Sequence, residues 1–295
     1  MDTALSLVHQ AFGADPDWKQ VVLTLATPIF VLAFVLEWWV MRRRQRLDQF
    51  PPREILVNLG LGSLYQVFEL IAWVAITGVA ANWVYSHRLF DIPLNAWTAA
   101  PIFVAVEFLY YGFHRSSHRI RWFWSAHVVH HSGQTMNMST AMRQGLLYSV
   151  TGWWLFFMPL VWLGVDPAVV FFMYAIDLFY QYFIHTEAVG KLHPAIEYLF
   201  NTPSHHRAHH GRNPGYIDRN FGGVLIVFDR WFGTFVEETE RPDYGIPRQP
   251  QTRNPLTLNF HEFLAMWRDL ARPGPLGQRL KHLWGPPEWV RQCQG

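Results

Sequence analysis

Long apolar stretches alternate with short polar breaks along the first two thirds of the chain. From Gln20 to Val40 only Glu37 is charged, which matches the roughly 20 residues a helix needs to cross a hydrocarbon core. Ile55 to Tyr85 is longer than one untilted span, and predicts a tilted helix, a kink near Gly60 and Gly62, or two shorter helices. Ala99 to Phe113 is a third apolar run, and Leu146 to Leu163 with Ala168 to Ile184 predicts a hairpin turning at Gly164, Asp166 and Pro167. After His185 the chain turns polar, broken by Pro203, Gly211, Pro214 and Gly215, with a short apolar stretch from Gly222 to Phe235. The pattern predicts an all-α integral membrane protein with four to five transmembrane helices and a cytoplasmic, histidine-rich helical cap. Three regions follow: membrane helices over 1–100, a catalytic region of helices plus cap over 101–246, and an interfacial tail rich in proline, arginine and tryptophan over 247–295.

Basic residues orient this arrangement. Arg42, Arg43, Arg44, Arg46 and Arg53 follow the first span, whereas the opposite side holds only Lys19 and Arg88 near its boundaries. Arginine-rich loops stay cytoplasmic. Counting crossings onward puts Arg115, Arg119, Arg121 and His185 on that same side. The expected location is an inner or cytoplasmic membrane with the histidines facing the cytoplasm. The acidic start (Asp2, Asp15, Asp17) lacks a small-residue cleavage site, so the first apolar run is expected to remain as an anchor.

Composition narrows the chemistry. The chain is 51% hydrophobic and 16% charged, with a net charge of +2 that points to no nucleic-acid partner. Cys293 is the single cysteine, which excludes an intrachain disulfide or a cysteine-held iron–sulfur cluster. No GxSxG elbow, HExxH block or dinucleotide fingerprint is present. Electrons for a redox reaction would come from outside the chain.

Histidine is the anomaly. In FHRSSH, His114 and His118 are four apart and share a helix face. In AHVVHH, the spacing i, i+3, i+4 predicts that His127, His130 and His131 converge from one turn, and His206, His209 and His210 repeat it in SHHRAHHG, with His205 as a further neighbour. So many imidazoles at ligand spacing are costly to desolvate without metal. His185 is a further candidate ligand, His193 in LHP reads as a local cap, and lone His9, His87, His261 and His282 read as packing residues. Glu107, Tyr111, His114 and His118 form one stripe, and Asp177, Gln181 and His185 another, so Glu107 and Asp177 are expected to orient ligating histidines or approach the metal. Imidazole suits iron, zinc, copper or nickel. The number of ligands favours two metals with positions left for dioxygen.

These blocks resemble the fatty-acid hydroxylase and sterol desaturase superfamily, whose pattern is HxxxH, HxxHH and a distant HxxHH. HVVHHSGQTMNMSTAMRQ, YQYFIHTE and NTPSHHRAHHGRNPGYIDRNFGGVLIVFDRWFGTF are most similar to its alkylglycerol monooxygenase branch, across residues 101–246. The resemblance implies two iron ions, with zinc an adventitious occupant of recombinant preparations, and O2-dependent oxidation of a lipid (an ether lipid, fatty acyl chain or sterol-like molecule) at the membrane. Asn137, Arg143, Glu187, Asn220 and Asp229 are implied as motif residues supporting the site. Arg119 stands where the pterin-using animal enzymes carry an acidic residue. The reductant therefore stays open between tetrahydrobiopterin and a cytochrome, ferredoxin or flavoprotein partner. Hydroxylation and desaturation fit the same ligands, and the competing classes are a haem-binding electron-transfer or metal-transport membrane protein and a metal-dependent lipid hydrolase. Tyr111, Trp122, Trp124, Tyr180 and Tyr182 are candidates to line a route from bilayer to metal.

Overall fold

Asp17 opens the first helix in the computed structural model, which describes residues 16–291: its carboxylate accepts from the backbone N–H groups of Lys19 and Gln20 at 3.0 and 3.4 Å. His9 and Cys293 lie outside the described residues. Helix α1 (Trp18–Leu25) bends by 48° into α2 (Thr27–Arg43), where Pro28 near the start of α2 lacks the N–H to continue the ladder. A 3-10 turn then leads into α3 (Pro52–Ala72), a π-helical turn (Trp73–Thr77) and α4 (Gly78–Ser86). Together they run 40 residues from Leu47 to Ser86. The irregularity expected at Gly60 and Gly62 falls instead at the π turn. Gly62 has another use: a Cβ there would lie 2.7 Å from the carbonyl oxygen of Met142, so its bare backbone lets a later segment press against α3.

Helices α5 (Ala99–Arg119) and α6 (Arg121–His131) are joined by the extended residue Ile120 and pack against each other. A 3-10 turn (Met138–Met142) precedes α7 (Tyr148–Thr151), a second 3-10 turn (Trp153–Phe157) and α8 (Met158–Leu163). The run Leu146 to Leu163 is therefore not the single membrane helix its composition predicts. Gly152 adopts φ +92°, a left-handed conformation that ends α7. Helix α9 (Pro167–Ile184) returns from the Gly164–Asp166 turn, its start capped by the Asp166 side chain. Two described helices are long and apolar enough to cross a membrane, Leu47–Ser86 and Pro167–Ile184, and three if the bent α1–α2 pair is one span. The four to five expected from sequence counted Ala99–Phe113 and Leu146–Leu163; the first continues into polar, histidine-bearing turns and the second is broken.

Lipid is as apolar as leucine, so a membrane fold leaves aliphatic side chains on its outside and uses close packing and polar contacts inside. This molecule does so. Val31, Leu56 and Val74 are more than half exposed, whereas Val106, Ala126, Phe157, Val161, Val170 and Phe171 are fully buried between α5, α6, α8 and α9. Beyond His185 come three short helices, α10 (Pro194–Leu199), α11 (Pro203–His209) and α12 (Val227–Trp231); α11 packs against α9 and α12 against α5. Arg44 reaches the Ala188 carbonyl at 2.7 Å and Arg46 the Glu187 carboxylate at 2.5 Å, so the arginine-rich end of α2 meets this polar segment. Helices α13 (Pro255–Ala271) and α14 (Leu276–Trp284) brace α6 through Arg121, which pairs with Glu262 and Asp269 of α13 and donates to His282 Nδ1 of α14 at 3.3 Å. No strand forms among the described residues, only isolated bridges.

Candidate metal centre

Nine histidines from α5, α6, α9 and α11 point into one buried pocket and divide into two groups. His114, His118, His127, His131 and His209 form one; His130, His185, His206 and His210 form the other, with ligand atoms in each within 4.8 Å of one another. The convergence of His127, His130 and His131 on one point, expected from their spacing, does not occur. At 100° per residue an i, i+4 pair diverges by only about 40°, whereas the i+3 residue points about 100° away from its i+4 neighbour. Accordingly His114/His118 and His127/His131 serve the first group and His206/His210 the second, while His130 and His209 each cross to the opposite group. Rings of the two groups touch, with the His131 and His210 centroids 4.4 Å apart.

Backbone carbonyls fix the state of the rings. His114 Nδ1 faces Phe221 O at 2.8 Å, His209 Nδ1 faces Arg219 O at 2.7 Å, His130 Nδ1 faces Arg143 O at 3.1 Å and His185 Nδ1 faces Gln181 O at 2.6 Å. A carbonyl only accepts, so each Nδ1 carries the proton and each neutral ring turns an unprotonated Nε2 inward. His130 and His185 thus aim two lone pairs at each other across 3.3 Å, and His209 Nε2 is buried with no hydrogen-bond partner. Such an arrangement is unfavourable alone and is satisfied by a cation. Nε2 separations of 2.8 to 3.3 Å within each group are the edges expected around a metal with bonds of about 2.1 Å. Burial pushes His127, His130, His131, His206, His209 and His210 well below the ordinary histidine range and His185 down to about 4, which keeps these rings neutral at neutral pH.

The supporting residues act through turns. Asp229 accepts from the N–H groups of Phe221 and Gly222 at 2.8 and 2.7 Å and from Thr234 Oγ1 at 2.6 Å, holding the turn whose carbonyl grips His114. Asn220, at φ +57°, donates to His205 O and Val236 O. Arg143 is buried against Glu54, Asn58 and Ser132 and sets the carbonyl that holds His130. Asn137 caps the 3-10 turn and donates to Gln49 O, and Glu187 joins Arg46 to Tyr244. Glu107 accepts from the N–H groups of Val224 and Leu225, and Asp177 accepts from Gln181; neither belongs to a histidine group. His205 also stands apart, with Nε2 2.8 Å from Glu197 and its ring against Phe235. His193 caps α10 from an exposed position.

Two contacts had no signal in the histidine spacing. Tyr148 hydroxyl lies 2.5 Å from His127 Nδ1, and Asp218, at φ +58°, sits 3.6 Å from His118 Nδ1 while pairing with Arg119. Burial raises the Asp218 carboxyl, but hydrogen bonds and charge from His118 and Arg119 outweigh it and hold it below its usual range. In the IDRN segment only Asp218 and Asn220, two turn-forming residues that both adopt positive φ, offered a hint.

A mostly apolar cavity of about 480 Å³ ends on His114, His127, His130 and His185. Tyr65, Tyr110, Tyr148, Trp153, Tyr174 and Tyr182 line it. Of the aromatics singled out from sequence, Tyr182 alone is among them; Trp122 and Tyr180 instead bond the carbonyls of Thr151 and Asn201.

Residues 99–234 match the family model for fatty acid hydroxylase. Alkylglycerol monooxygenase of Homo sapiens is 38% identical over 257 residues, 84% of this chain and 56% of that protein. The Xenopus tropicalis alkylglycerol monooxygenase is 34% identical over 281 residues, 93% of this chain and 60% of that protein. The chain thus spans between 56% and 60% of the length of these two curated relatives. Ornithine lipid hydroxylase OlsE of Rhizobium tropici is 28% identical over 132 residues, 45% of this chain and 40% of that protein. No solved structure matches significantly.

Proposed function

We propose that this chain, which belongs to the fatty acid hydroxylase family through residues 99–234, is a membrane-bound, di-iron, O2-dependent oxidoreductase that hydroxylates a carbon–hydrogen bond of a lipid. The observation that carries the reading is that histidines of both imidazole groups, His114 and His127 of one and His130 and His185 of the other, line one apolar cavity. His114, His118, His127, His131 and His209 would hold one iron, and His130, His185, His206 and His210 the other. All-imidazole donor sets suit iron and leave positions for an exogenous ligand. Bound iron supplies activation of dioxygen, with electrons from an external donor.

The rest belongs to the chain's own residues. Carbonyls of Phe221, Arg219, Arg143 and Gln181 hold four rings in the ligating tautomer. The aromatic wall excludes water and presents an aliphatic chain to the inner end, where a near-attack placement decides which carbon reacts. An ether-linked glycerolipid is the first substrate to try, because alkylglycerol monooxygenases are among the relatives. Facing of the site to the cytoplasm rests on the arginines that cluster at the same end as His185.

Lipid profiling of expressing cells under 18O2, against a His209→Ala control, tests the reading. A product gaining one labelled oxygen in the active chain alone is expected. Loss of two hydrogens without label would make it a desaturase, and product formed without oxygen would overturn oxidation altogether.

A further inference from the structure

No residue beyond His185 lines the cavity. Its rim is made by Thr24, Thr27 and Val31 on the α1–α2 arm and by Leu59 and Ser63 on α3, all exposed on the lateral flank of helices apolar enough to span a membrane. Along this flank the α1–α2 arm and α3 make no extended packing with one another, which leaves a slit between them.

Both ends of the slit are tied. At the histidine end the 3-10 turn Met138–Met142 bridges the two elements: Glu37 of α2 accepts from Met138 N at 2.8 Å, and Asn58 of α3 donates to Ser139 Oγ at 3.0 Å. At the far end Lys19 of α1 meets Glu69 of α3 at 2.5 Å, Ser149 donates to the same carboxylate, and the ammonium lies 4.5 Å over the Trp153 ring. Both partners are buried, at 0% and 3% exposure. An ion pair in an apolar slab is a poor source of stability but a good way to fix one geometry. Between Asn58 and Glu69 the opening on α3 is about 16 Å long at the helical rise per residue.

We propose that this slit is a lateral portal through which one aliphatic chain of a bilayer lipid slides from the membrane to the histidine pocket without passing through water. The occupant follows from the place and lining of the opening: it faces hydrocarbon, its walls are Phe30, Val31, Phe34 and Leu59, and it leads inward along Tyr65 and Tyr148. Its nature as a substrate rests on the lipid-oxidation reading above; its path does not.

The test uses the full-length, metal-loaded protein in phosphatidylcholine vesicles doped with a hexadecyl glyceryl ether carrying a diazirine on its chain. Illumination should crosslink the probe to cavity peptides bearing Tyr65 and Tyr148. Ser63→Trp and Val31→Trp, which plug the rim, should lose that crosslink while metal content stays at the wild-type value. Val79→Trp, on an exposed position of α4 outside the cavity, should keep it. A Ser63→Cys chain in a Cys293→Ser background, blocked with a bulky maleimide after folding, repeats the experiment without burdening assembly. Cavity crosslinks or turnover undiminished in both plugged forms would overturn the portal and leave lipid oxidation standing. A normal crosslink in a wild-type chain that never incorporates labelled oxygen supports the portal and removes the oxidation reading instead.

Discussion

A carbonyl oxygen cannot donate a hydrogen bond, and at the scale of single residues that fact organises the site. Four rings are forced to offer Nε2 inward, so each should be worth a metal ligand while a buried histidine outside both groups should not. His130→Ala is expected to lower bound metal from two per chain toward one, whereas His205→Ala, which removes a contact with Glu197, should retain two and cost stability of about 1–3 kcal/mol. Elemental analysis of purified protein separates them. Asp229 carries a pH dependence of its own. Burial raises its carboxyl to about 6 against three hydrogen bonds that favour the charged form. Because the folded state holds this proton more tightly than the unfolded chain, the contribution is full below about pH 4 and is lost as pH rises through about 6, on the order of 3 kcal/mol. The stability of wild type relative to Asp229→Asn should therefore fall over that window, and a carboxyl infrared band absent from the variant should titrate near its upper edge. A flat difference would place Asp229 in contact with water.

At the scale of elements, the packing of α6 controls both groups. Gly145 lies so close to this helix that a Cβ would sit 2.2 Å from Ala126 O. Gly145→Ala should push α6 outward, destabilise the fold by about 1–3 kcal/mol and weaken metal at both sites together, read by thermal denaturation and metal content. Here the limits of the sequence show physically. Spacing of four reports a shared helix face, so the pair His114/His118 was legible from the letters alone, whereas the expected convergence of His206, His209 and His210 fails because His209 joins the other group. Which group receives His130 or His209 depends on what stands opposite each helix, and a single helix carries no record of that. The carbonyl grips of Phe221, Arg219 and Gln181 were invisible for a simpler reason: every residue has a carbonyl, and none is marked by its side chain. Leu146–Leu163 misled because its apolar composition is that of a span, while Gly152 and the 3-10 turn spend the same residues on the floor around Trp153.

At the scale of the whole molecule, the histidine pocket joins helices distant in the chain, so bound metal is expected to act as a cross-link on the folded state. Ligand binding to the native form alone adds about 2.7 kcal/mol for each site when free metal exceeds its dissociation constant a hundredfold. Chelation should lower the melting temperature of the detergent-solubilised protein by several degrees, and ferrous iron should restore it. Unchanged melting after complete metal removal would mean that packing alone organises the pocket.

The crossing of His130 and His209 has a further consequence for how such a protein can change over generations. Each of the two short helices α6 and α11 serves both groups at once, so neither site can be discarded while the other is kept by deleting a helix. A one-residue insertion between His127 and His131 would rotate part of the block by about 100° and scramble both assignments. The two histidine groups are thus mechanically coupled, because any shift of α6 or α11 moves members of both.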